Sequence, residues 1–180
     1  MLALLTALLV QDAPVVQPFE VQGFRTTQTI TIEAPRGEVW EVATGDVSPW
    51  WDHTWSGNPA ELVIEPRAGG HFYERFEPGG ADGMIHADII FVDAPSTLRM
   101  DGPLGLIERS YDLLISWSLE EVDADTTGFT VELAMHGEID AELAGVVHGV
   151  WTHFIAGRLK TYVEGGCHLV PEEPCAAFDG

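Results

Sequence analysis

A chain of 180 residues with 46% apolar side chains is long enough for one domain with its own core, and too apolar for a disordered polymer. Its 29 acidic residues against 8 basic ones leave a formal charge of −21. That charge repels phosphate backbones and anionic headgroups, which excludes nucleic acid and anionic membrane surfaces as partners and favours solubility.

Residues 1–10, MLALLTALLV, form an apolar run too short to cross a bilayer. The run has the character of a signal-peptide core, although no basic residue precedes it. Residues 1–13 are therefore expected to be the leader of an exported protein, periplasmic or secreted, and residues 14–23 a linker interrupted by Pro14 and Pro18. An uncleaved leader would instead leave the chain in the cytoplasm.

Ile30 and Ile32 alternate with Thr29 and Thr31, which predicts a first strand over 25–32. Residues 34–43, APRGEVWEVA, predict a short helix with Pro35 in its first turn and Val39, Trp40, Val42 and Ala43 toward the core. Residues 46–52 are either a second short helix or an irregular turn. Strands follow at 61–65, 71–76, 84–92 and 97–100, punctuated by Pro66, Gly69-Gly70, Pro78-Gly79-Gly80 and Pro95. Phe72, Glu74 and Phe76 share one strand face. The stretch 101–106, with two glycines and a proline, is a loop. Tyr111, Leu113, Ile115, Trp117 and Leu119 alternate along a long strand, and Phe129, Val131, Leu133 and Met135 along the last one.

The segment 140–164 predicts a helix about 37 Å long. Asp140 suits its N-cap and Gly165-Gly166 its stop. Leu143, Val147, Val150 and Phe154, together with Trp151, Ile155, Leu159 and Tyr162, give it an apolar face wider than a surface helix needs. One sheet wrapped around this one helix, enclosing a cavity, is the expected design. Cys167 and Cys175 follow in a tail over 167–180, either paired by oxidation or standing as free thiols. No His or Cys cluster of zinc spacing accompanies them, so neither a metal nor a cofactor is expected.

This order of elements resembles the START-like (Bet v 1-like, SRPBCC) superfamily, nearest the branch with the Hsp90-ATPase-activator-homologue C-terminal domain. The residues that carry the resemblance are IEAPRGEVW at 32–40, EPRAGGHF at 65–72, and Trp151 with LKTYV at 159–163. It covers about residues 25–166 and places the domain over 24–166. It implies an α+β helix-grip fold: a seven-stranded antiparallel curved sheet around a long C-terminal helix, with two short helices after the first strand. Members of the superfamily bind lipids, sterols, polyketides or hormones, cyclise or dehydrate polyketides, or serve as chaperone partners.

The resemblance sets Trp50, Trp51 and Trp55 over one mouth of the cavity. There they act as a gate or stacking platform, unless the rings simply fill the core. An inward Glu74 would be desolvated and able to donate a proton. Arg158, within the apolar stripe, either reaches Glu74 or extends outward along its aliphatic stem. His86 shares a strand face with Asp88, whereas His148 and His153, five apart, diverge. The candidate ligand contacts are thus Trp50, Trp51, Trp55, Phe72, Glu74, Phe76, His86, Trp117, Trp151, Phe154 and Arg158. No elbow-type serine is present for nucleophilic catalysis. The expected function is binding of a small hydrophobic or amphipathic molecule. The alternatives are a cyclase or dehydratase using Glu74 or His86, and a chaperone-activator-like interaction module.

Overall fold

The computed structural model describes Val16 and residues 18–171 and 173–178, so the leader expected at 1–13 lies outside the described residues. Eight strands form one antiparallel sheet. They are β1 (Gln22–Ile32), β2 (Gly45–Asp46), β3 (Glu61–Ile64), β4 (His71–Arg75), β5 (Gly83–Asp93), β6 (Thr97–Asp101), β7 (Tyr111–Asp123) and β8 (Thr126–Gly137). From β2 to β8 each strand pairs with the next in sequence, and β1 closes the far side against β8. The architecture is the α+β helix-grip fold, with one strand more than the seven expected.

The extra strand and a missing helix have a common cause. Asp46 pairs with Val63 and Gly45 with Ile64, which draws the start of the 46–52 segment into the sheet edge. Only a single turn remains, with Trp50 and Trp51 both donating to Val47 O, and Pro49 within it lacks an amide proton. One helix therefore follows β1, namely α1 (Arg36–Ala43), which buries Val39, Trp40 and Ala43. β1 also begins earlier than the expected linker allowed, because β8 offers partners to Gln22 and Gly23 as far as Gly137.

The closing helix runs through α2 (Ala141–Thr152), a π-helical stretch (His153–Leu159) and α3 (Lys160–Glu164). The Asp140 side chain caps it by accepting from the Leu143 amide at 2.8 Å. Its apolar face covers the inner face of the sheet, where Phe72, Leu113, Ile115, Trp117 and Phe129 are almost completely buried. Trp151 stands between the two layers, edge-on to Trp51 at 5.9 Å and to Trp117 at 6.4 Å. Beyond the helix a Cys167–Cys175 disulfide folds the tail back. Phe178 lies stacked near Tyr162.

Two local distortions shape the inner face. The β4–β5 pairing slips by one residue between Phe72 and Tyr73, so Phe72 faces Ala87 but Tyr73 faces Ile85. His86 is the unpaired residue of that bulge, and it turns inward beside Ala87. Gly102 sits so close to β5 that a Cβ there would come 2.6 Å from Ala87 Cα, which presses the 102–106 loop onto that bulge.

Candidate functional site

Between the helix and the sheet lies a cavity of about 210 Å³. Trp51, Phe72, Leu113, Trp151 and Phe154 form much of its wall, and Val147 and Val150 of α2 close it from above. Trp51 is the hub of this wall, stacked on Phe154 at 3.9 Å and edge-on to Phe72 at 5.0 Å. Aromatic walls of this kind give a large apolar area at fixed geometry. Leu104, also in the lining, holds the strained left-handed φ of 49°. Its amide donates to His86 O at 2.9 Å, and that hydrogen bond fastens the loop over the histidine.

His86 is the buried polar group of that lining. Its Nε2 lies 3.2 Å from Glu74 Oε2, and Glu74 is wholly buried. Burial lowers the His86 pKa, and the hydrogen bond and charge of Glu74 only partly oppose that shift. The ring is therefore neutral at neutral pH. In the tautomer with its hydrogen on Nε2, the ring donates to Glu74 Oε2 and Nδ1 is the acceptor nitrogen. Glu74 also accepts from the backbone amides of Trp55 at 2.9 Å and Ser56 at 2.8 Å. One buried carboxylate thus orients the histidine and anchors the tryptophan-rich loop.

The candidate residues separate into three groups. Trp51, Phe72, His86, Trp151 and Phe154 are brought together around the cavity. Trp50 and Trp117 are fully buried in the core outside its lining, and Phe76 is half-buried just past the end of β4. Trp55 is half exposed and belongs to an outer, more polar hollow of about 460 Å³. That hollow adjoins the cavity through Leu106, Leu143 and Val146, and Arg109 lies in it.

The expected Glu74–Arg158 pair does not form. The π-helical stretch carries an extra residue in its turn, which rotates the side chains after it. Arg158 emerges beside Asp52, its Nε 3.3 Å from Oδ2 and 3.1 Å from Trp50 O, with its guanidinium 3.5 Å over the Phe178 ring. The His86–Asp88 contact fails as well, because the bulge sends His86 inward and leaves Asp88 outside, paired with His71 at 2.9 Å. His148 and His153 do diverge, to Thr26 and Asp52 respectively.

Sequence spacing missed one cluster. Asp52 Oδ1 lies 2.8 Å from His53 Nδ1 and 2.9 Å from His153 Nε2. Partial burial would raise the Asp52 pKa, but the hydrogen bonds of both histidines and the charges of His153 and Arg158 outweigh it and lower it. The three residues could hold a metal ion, where none was expected from the spacing of His and Cys.

Comparison with known proteins supports the architecture. The profile of the family described as Activator of Hsp90 ATPase homolog 1-like protein matches residues 33–164. DynU16, from the dynemicin biosynthetic locus, is 25% identical with a TM-score of 0.53, and the match covers 79% of this chain. This chain spans only 48% of DynU16. CalU16 from Micromonospora echinospora is 19% identical, with a TM-score of 0.50 over 91% of this chain and 97% of its own. The Aha1 dimer from Colwellia psychrerythraea gives 16% identity and a TM-score of 0.50 over 78% and 96%. No curated protein sequence matches the chain.

Proposed function

We propose that this chain, which belongs to the family of the Activator of Hsp90 ATPase homolog 1-like proteins, binds one small amphipathic molecule beneath its long helix. The observation that carries this reading is an aromatic cavity with one buried polar side chain, His86, in its lining. A volume of about 210 Å³ exceeds the roughly 150 Å³ that holds benzene and falls short of the roughly 300–1,000 Å³ of drug-sized sites. The occupant is therefore about one substituted ring, with a polar end directed to the outer hollow beside Arg109. The biosynthetic locus of DynU16 supports a small molecule as the occupant.

Phenol and cyclohexanol titrations, followed by the fluorescence of Trp51 and Trp151, test the reading. Saturable quenching is expected in the native chain. Val150→Trp, which fills the cavity from a half-buried helix position, should weaken it at least about tenfold, or ~1.4 kcal/mol. Equal binding by that variant would place the ligand elsewhere and sink the proposal.

The Glu74–His86 contact favours a second reading, proton transfer. A neutral imidazole held by a carboxylate is a general base for a ligand hydroxyl or an acidic C–H. Turnover of a bound ligand, followed by mass spectrometry and lost in His86→Gln while binding persists, would establish it. Export remains part of the proposal, supported by the apolar run at 1–10 and the Cys167–Cys175 disulfide. N-terminal sequencing of the mature protein tests it, and a retained Met1 would favour a cytoplasmic interaction module instead.

A further inference from the structure

We propose that Asp52, His53 and His153 form a site for a first-row divalent cation, best matched to Zn²⁺, at the rim of the cavity. Their ligand atoms lie within 4.8 Å of one another. Two imidazoles and a carboxylate are the donor set of an open site, which keeps a fourth position for water or a ligand group. At metal–ligand distances of about 2.0–2.1 Å, neighbouring ligand atoms in a tetrahedron stand roughly 3.3 Å apart. The observed 2.8 and 2.9 Å from Asp52 Oδ1 to the two histidines need only a few tenths of an ångström of spreading, roughly that difference.

The surroundings hold these ligands as outer partners do in metal sites. Arg158 Nε engages Asp52 Oδ2 at 3.3 Å, His153 Nε2 lies 2.9 Å from both carboxylate oxygens, and Oδ1 faces both histidines. Trp51 Nε1 donates to His53 O at 2.8 Å and fixes that backbone. His153 opens the π-helical stretch, and such stretches are frequent at functional sites. The two imidazole rings stand 5.4 Å apart around one carboxylate. The carboxylate has acceptor sites for Arg158 and both histidines, and a cation would take the place of the two histidine contacts. The acidic surface attracts any cation. The imidazoles supply the preference for Zn²⁺ over Ca²⁺ and Mg²⁺, which take oxygen ligands. Since His53 also lines the cavity, the open position is at its edge.

Calorimetric titration of the tag-free full chain with ZnCl₂, without any organic ligand, tests this. One Zn²⁺ per chain is expected, undisturbed by an excess of Ca²⁺. His53→Gln and His153→Gln should each weaken binding by more than about 100-fold, beyond the roughly 10–100-fold that outer-partner changes cost. His71→Gln, which breaks the separate His71–Asp88 pair, should leave it unchanged. Circular dichroism melts identify folded variants. Equal Zn²⁺ affinity in the native chain and both site variants, or displacement by Ca²⁺ at matching concentration, would overturn the proposal.

Discussion

His86 shows how a single residue can escape sequence periodicity. Strict alternation in β5 pairs it with Asp88, but one unpaired position turns it inward to Glu74. Phe72 and Glu74 were legible because β4 alternates cleanly, whereas a bulge leaves no period to read. The buried ring has a pH consequence. Its folded pKa is lowered from 6.5, chiefly by desolvation. Between that folded value and about pH 6.5 the unfolded chain binds the extra proton, so stability rises with pH through this window. The contribution is complete above about pH 6.5 and is lost as pH falls through the folded value. Asp52 and Glu65, whose carboxyls are also lowered, act only further into acid. Urea unfolding should therefore show lower stability at about pH 5.5 than at about pH 7.5. In His86→Gln, which retains an N–H for Glu74, the drop should shrink. An unchanged drop would mean that another group titrates there.

At the scale of elements, the closing helix organises the chain, and Trp151 is its anchor. The ring is 3% exposed and touches the Trp51 cluster on one side and Trp117 on the other. Trp151→Ala should cost about 3–5 kcal/mol, since its neighbours belong to separate strands and turns and cannot all collapse into the gap. Denaturant midpoints would measure this, and an unchanged midpoint would contradict the packing. The helix was legible because Leu143, Val147, Val150 and Phe154 keep a regular spacing and Asp140 caps it. Its π-helical stretch was not, since no residue in HFIAGRL announces a wider turn. Arg158 lies within that stretch and pairs with Asp52 rather than Glu74. The Asp52–His153 contact was hidden for another reason: 101 positions separate its partners, and only the closed fold brings them together.

Over the whole molecule, 29 acidic residues are set against 8 basic ones. Lys and Arg ion pairs relieve little of this load among the described residues: Arg67–Glu65, Arg158–Asp52 and Lys160–Glu164. Folding brings the unpaired carboxylates closer than they lie in the expanded chain, so self-repulsion opposes it. Salt should then stabilise the protein. The screening length falls from about 30 Å at 0.01 M to about 3 Å at 1 M, which removes long-range repulsion before it weakens contact pairs. A gain on the order of 1 kcal/mol would raise Tm by ~2–4 °C in a domain of this size. Sodium chloride and choline chloride should act alike at neutral pH if screening is responsible. Near the sequence pI of about 4.3 the repulsion fades, and the salt dependence should fade with it. Calorimetric melts across both salts at the two pH values would decide the matter. An equal slope at both would assign the effect to apolar burial rather than charge.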